Sequence, residues 1–288
     1  MPFYALFYPF SRDNSYFHGM VVEGNLRKMV TALKEGEVQY NLRLSNESEN
    51  QLFPLNEYLG HSIEIAFLGK IHCVVCGRKT NKSFSQGFCY PCFRDAPENS
   101  ECIIHPERCQ GHLGGGRDPE WEAMHHVKPH IVYLSQTSGI KVGVTRNDQI
   151  PTRWIDQGAI QACVIARTPY RQLAGAIEVA LKAHFKDKTS WQAMLKGKHE
   201  ALEILPFRDE AHSALPSEFQ EYLVHEDSVP LNFPMLDFPT KVQSTKLDKA
   251  PLLSGTLTGI KAQYLLLDNY RVINLRNHSG YLVRITLS

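Results

Sequence analysis

Residues 38–44, Val-Gln-Tyr-Asn-Leu-Arg-Leu, alternate apolar and polar positions. That period of two predicts a strand buried on one face. Residues 63–68, Ile-Glu-Ile-Ala-Phe-Leu, predict a second strand, and the polar run 45–50 predicts a turn between them. The pattern sharpens after residue 130. Residues 131–134 form a short apolar strand and 135–139 a turn. In the next strand, 140–145, Ile140, Val142 and Val144 share one face while Lys141, Gly143 and Thr145 share the other. Pro151 suits a helix start, and a short helix over 152–157 is closed by Gly158. A third strand covers 162–166. Residues 173–185 then place Leu173, Ile177, Ala180, Leu181 and His184 at helical spacing, the mark of an amphipathic helix. Toward the C-terminus, 255–268, 271–275 and 280–285 predict three strands, with Asp268-Asn269 as a hairpin turn. Pro230, Pro234 and Pro239 predict a linker lying across the surface. Residues 255–260 echo Gly24-Asn-Leu-Arg-Lys-Met29, so the two ends are expected to be related β units packed together, with the middle inserted between them.

Composition adds bounds. With 288 residues, 43% hydrophobic and 21% charged, the chain is an ordinary globular mixture long enough for two or more cores. The aromatic start is broken by Pro2 and Pro9, has no cationic lead, and no run approaches ~18 apolar residues. This predicts a soluble cytoplasmic protein with no membrane contact. Net charge is only +1, but its distribution is uneven. From Lys70 to Arg94 five basic side chains meet no acid. From Lys128 to Lys198 eleven Lys and Arg face four acids. From Glu200 to Thr240 one Arg faces nine acids. Two basic segments suit a phosphate-backbone surface, and Lys79, Lys82, Lys141 and Arg146 are the candidate contacts.

The cysteines carry the strongest local signal. Cys73-Val-Val-Cys76 and Cys89-Tyr-Pro-Cys92 are two C-x2-C turns. Facing each other, they offer four thiolates to a tetrahedral Zn²⁺, a closed site that supports folding rather than catalysis. Gly77 and Gly87 let the chain fold back on the ion. Seven cysteines, four of them in metal spacing, argue for a reducing compartment. Cys102, His105, Cys109 and His112 have spacings compatible with a second zinc. Leu113-Gly-Gly-Gly-Arg117 lacks the pattern of a phosphate loop. His125 and His126 are adjacent, so they cannot pair on one helix face; they read as surface or supporting residues.

Three polar residues punctuate the middle segment: Tyr133 at the end of a strand, Arg153 on the short helix and Glu178 on the longer one. There the chain resembles the GIY-YIG nuclease superfamily, over about residues 128–198. Val132-Tyr133 stands at its first motif and Val142-Gly143 at its second, with Arg153 at the helix arginine and Glu178 at the metal-binding glutamate. Lys141 stands where the second tyrosine would be, and Ser190 at the late asparagine. More widely, 73–195 is similar to an uncharacterised bacterial family that joins a zinc ribbon to this fold, through Lys141-Val-Gly-Val-Thr-Arg146, Arg153-Trp-Ile-Asp-Gln-Gly-Ala159 and Lys188-Thr-Ser-Trp191. Relatives there carry a cysteine near Gly116, absent here.

The resemblance implies an α+β fold. A β unit (1–70) is followed by a zinc module (71–127), a GIY-YIG-like small mixed sheet with helices (128–200), and an acidic linker with a C-terminal β unit (201–288). It also implies a catalytic set of Tyr133, Lys141, Arg153 and Glu178. Glu178 would hold Mg²⁺ or Mn²⁺ for cleavage of DNA or RNA, Tyr133 would help deprotonate the attacking water, and Arg153 would stabilise phosphate charge. Two rival readings remain open from the residues: a catalytically silent nucleic-acid-binding module, and a zinc-stabilised protein–protein adaptor.

Overall fold

The structure, a computed structural model, describes residues 19–46, 49–185, 190–200 and 202–288. The aromatic start and residues 188–189 lie outside the described residues. The fold is mixed α+β, built on two sheets.

The alternation at 38–44 becomes a strand with Val38, Tyr40, Leu42 and Leu44 buried and the intervening side chains half-buried. β1 (Met20–Leu26) and β2 (Val30–Lys34) run along one side of this β3 (Glu37–Ser45), and β4 (Asn50–Pro54) along the other. β5 (Ser62–His72) leads directly into Cys73, and β6 (Lys79–Thr80) folds back on its end.

After α1 (Tyr90–Asp95) and α2 (Pro119–His125) comes the second sheet. β7 (His130–Gln136) is its centre, with β8 (Ile140–Arg146) at the open edge. On the other side, after α3 (Thr152–Asp156), lies β9 (Gln161–Thr168). Every residue of β7 is buried, because both faces of this sheet are covered. Ile131, Tyr133 and Val164 join the core of the large sheet. Val132, Leu134, Val142 and Ile165 pack with Ala174, Ile177 and Leu181 of α4 (Arg171–Leu181). A strand covered on both faces reads as a continuous apolar run, which is why its alternation was faint. Tyr133 therefore lies mid-strand, not at the strand's end.

After α5 (Trp191–Leu195), the acidic stretch is not a free linker. It forms α6 (Leu205–Ala214), whose Ala211, with Leu215 and Phe219 beyond it, closes the core over β9. The proline segment then stitches the two sheets together. β10 (Val229–Pro230) pairs with β9, and the N–H groups of Asn232 and Val38 bond the carbonyls of Gly36 and Asn232.

The C-terminal unit supplies β11 (Gln243–Ser244), β12 (Leu252–Lys261), β13 (Tyr264–Leu267), β14 (Arg271–Asn274) and β15 (Tyr281–Leu287). The stretch 255–268 is thus a hairpin, not one strand. Its turn has no glycine; Ala262 takes a positive φ, and the Gln263 amide accepts from Met29 N at 2.9 Å. β15 lies between β1 and β5, and β5 also pairs with β12. Both chain ends therefore build one sheet, with the zinc module and the small sheet inserted between them. Among the described residues no helix is long and apolar enough to cross a membrane.

One buried cation tests this packing. Lys261 is 2% exposed, and its ammonium lies 5.1 Å from the Phe233 ring centre. Burial pushes its pKa down to about 8. The unfolded chain holds that proton to a higher pH, so this group destabilises the fold fully below pH 8. The penalty fades as pH rises from about 8 toward about 10.5. Lys261→Met is expected to raise neutral-pH stability by up to about 3 kcal/mol. Its urea midpoint should exceed that of the wild type at pH 7 and converge with it near pH 10.

Candidate functional site

The two C-x2-C turns do face each other. The sulfurs of Cys73, Cys76, Cys89 and Cys92 all lie within 4.8 Å of one another. Cys76 and Cys89 Sγ are 3.7 Å apart, close to the edge of a tetrahedron with Zn–S bonds of about 2.3 Å. Gly77 takes φ +72° and its N–H donates to Cys73 O at 3.0 Å; Gly87 takes φ +125° while its carbonyl accepts from Val74 N. A Cβ on Gly87 would sit 2.4 Å from Val74 Cγ1, so the turn needs glycine for space as well as for conformation. Arg78 Nε donates to Cys76 Sγ at 3.1 Å, a contact that favours a thiolate. The donor set and its spacing fit a structural Zn²⁺.

The second predicted set is only half assembled. Cys102 and Cys109 come together, but His105 and His112 do not join them. His105, before Pro106, is half-exposed beside Glu107. His112 stacks flat on Tyr170, ring centres 4.6 Å apart. Glu122 on α2 and His126, four residues on at its C-terminal cap, take the two places instead. His126 is therefore buried with the cysteines rather than at the surface, and His125 stacks on Trp121.

Tyr133, Lys141, Arg153 and Glu178 gather at the open edge of β8. Tyr133 pairs across the sheet with Gly143, and a Cβ there would lie 2.6 Å from the phenol oxygen. Glycine at 143 lets the ring lie over the edge strand. The Tyr133 hydroxyl donates to Gln157 Oε1 at 3.0 Å. Burial raises the phenol pKa against the opposing pull of the Arg153 cation. Lys141, Arg153, Gln157, Arg171, Glu178 and Lys182 line one cavity of about 150 Å³. Among the described residues Glu178 is the one carboxylate lining it, 3.8 Å from Lys182 Nζ.

This cavity shares lining residues with a neighbouring one, and together the cavities border a longer groove. Arg153 and Arg171 also line a cavity of about 420 Å³ with Lys28, Arg146, Asp156 and Arg276. Lys28 and Arg276 in turn line a third of about 630 Å³ with Arg27, Arg43 and Arg117. Ten Lys or Arg side chains border the three cavities against four carboxylates, Glu98, Glu101, Asp156 and Glu178. Burial lowers the pKa of Lys28, Arg27, Arg171 and Arg276, and Arg27 Nη1 is buried without a hydrogen-bond partner. Crowded, half-desolvated cations of this kind favour an anion. Lys28, Arg27, Arg43 and Arg276 were not among the sequence candidates, since they come from the flanking β units. Their only local signal was the Arg27-Lys28 pair at the break between β1 and β2. Lys79 and Lys82 are exposed on the zinc module and border none of these three cavities.

A cysteine cluster with metal-ligand geometry, set in a mixed α+β fold beside a basic groove, defines the class of protein. A family model described as protein of unknown function (DUF2797) matches residues 60–283, and the chain belongs to that family. No curated protein and no solved structure matches the chain.

Proposed function

We propose that the protein binds nucleic acid in the basic groove and cleaves a phosphodiester at the edge of β8, as its resemblance to the GIY-YIG nucleases implies. One observation carries the reading: Arg153 and Glu178, far apart in sequence, line one cavity that shares Arg153 and Arg171 with an arginine-rich groove, and the buried Tyr133 hydroxyl lies behind it against Arg153. Trp121 and His125, stacked at 4.1 Å on the same groove, give a platform for a base. The cysteine module lends Val74, Phe88 and Phe93 to the lining of the third cavity.

Arg153 and Arg171 would hold the phosphate, with Lys141 as a further point charge. The phenol of Tyr133 is protonated at neutral pH and would orient the attacking water, or take its proton when ionised beside Arg153. A single carboxylate among cations fits Mg²⁺ or Mn²⁺ only when substrate phosphate completes the shell. Such an ion at Glu178 would supply charge stabilisation to the leaving oxygen.

The test is cleavage of labelled DNA and RNA with Mg²⁺ or Mn²⁺. Glu178→Gln is expected to cut at least about 100-fold more slowly than wild type. With Tyr133 as the base, the rate should climb about tenfold per pH unit from 7 to 9, because the phenol titrates above its ordinary value. Equal cutting by Glu178→Gln, or no cutting by either protein, would remove the enzymatic half. The binding-module reading would then stand, and the Glu178–Lys182 pair and Lys141 at the second tyrosine's position favour it.

A further inference from the structure

We infer that Cys102, Cys109, Glu122 and His126 form a second zinc site, with a mixed S₂NO donor set, in the loop that walls the cavity. Their four donor atoms lie within 4.8 Å of one another, and all four residues are buried. His126 Nδ1 is 3.7 Å from Cys102 Sγ and 3.5 Å from Cys109 Sγ. Glu122 Oε2 is 3.9 Å from Cys109 Sγ and in contact with His126 Nδ1. Ligands on a tetrahedral ion with bonds of about 2.0–2.3 Å sit at such separations.

The Glu122 carboxylate makes the argument. It is 1% exposed; its close contacts are an imidazole and a thiol, and among the described residues it forms an ion pair with His126 and with no arginine or lysine, although Arg108 and Arg117 border the same cavity. A buried carboxylate with so little compensation is costly, and two thiols beside it add further potential negative charge. A divalent cation resolves all of these groups together. The backbone also makes room for the carboxylate: Gly116, at φ +123°, has no Cβ, and one there would lie 2.5 Å from Glu122 Cγ. α2 and its C-terminal cap supply Glu122 and His126 four residues apart, and Asp118 caps the helix start by accepting from Trp121 N.

The ion would close the loop 102–109 from both ends. That loop presents Ile103, Ile104 and Pro106 to the cavity holding Glu178. Arg171 of α4 fixes it from outside, donating to the carbonyls of Cys102 and Ile103. The site is structural and independent of whether the cavity is catalytic.

Zinc content and zinc-edge X-ray absorption of the purified chain test the inference. Two zinc ions per chain are expected, with about three sulfurs per ion on average: four on one ion and two on the other. A Glu122→Ala/His126→Ala variant should hold one ion with four sulfurs, while His105→Ala/His112→Ala should still hold two. One ion per wild-type chain, ligated by four sulfurs, would overturn the assignment. So would loss of an ion from the His105/His112 variant alone. The wild-type spectrum decides the matter even where the Glu122/His126 variant does not fold.

Discussion

Serine at both Cys73 and Cys89 is expected to release the ribbon's zinc and melt the segment between them. These two are the buried ligands of the four-sulfur cluster, at 0% and 2% exposure. The segment 71–95 around the cluster is small, and its α1 contributes no buried residue. Such modules draw their stability from the metal, which contributes roughly 10–16 kcal/mol in isolated zinc-binding peptides. Loss should also spread to the large sheet. β5 runs directly into Cys73, and the carbonyl of Gly280 accepts from His72 N at 2.8 Å. Zinc analysis should show one ion fewer, and limited proteolysis should cut between residues 73 and 92. Loss of zinc with unchanged protease resistance would mean that the fold here stands without its ion.

Gly175→Ala is expected to destabilise, although the same change in an ordinary helix stabilises by about 1 kcal/mol. A Cβ at 175 would lie 2.2 Å from Glu107 N and 2.4 Å from the Pro106 carbonyl carbon. Those are backbone atoms and cannot rotate away. Relief requires α4 to part from the loop 102–109, and overpacking of this kind costs about 1–3 kcal/mol. Arg171 would lose its bonds to Cys102 and Ile103 as the helix shifts, so the effect belongs at the upper end. Urea unfolding checks the sign. Ala180→Gly, on the same helix, should cost only the ordinary ~1 kcal/mol. A Gly175→Ala variant as stable as wild type would show that the helix and the loop are not held together.

Legibility in the sequence followed physical cause. The strands of the large sheet were readable where one face is solvated, as at 38–44. The C-x2-C turns were readable because ligands and turn lie within a few residues. The inserted arrangement was hinted at by the echo between the ends, and the sheet joins those ends. Three things were not readable. The turn at Ala262 has no turn residue, because it is held by the Gln263 side chain bonding to Met29 N, 234 residues away. The acidic stretch looked like a linker because α6 buries only a narrow stripe. The second cysteine pair looked complete with the nearest histidines, since local spacing cannot show that α2 folds back to offer Glu122 and His126. The groove was the least legible feature. Its cations come from all four parts of the chain, and only the packing of the two sheets brings them together.

The most direct test of the account is the salt dependence of nucleic-acid binding. Affinity for a short labelled duplex or single strand would be measured from 50 to 300 mM salt. Wild type should show a steep negative slope of log affinity against log salt. Arg146→Gln/Arg276→Gln, which removes two groove cations, should flatten that slope by about 1.4–1.8. Lys246→Gln/Lys249→Gln, exposed and bordering none of the three cavities, should leave it unchanged. Equal slopes for wild type and the groove variant, or a salt-independent wild type, would contradict the groove as the place where nucleic acid lies.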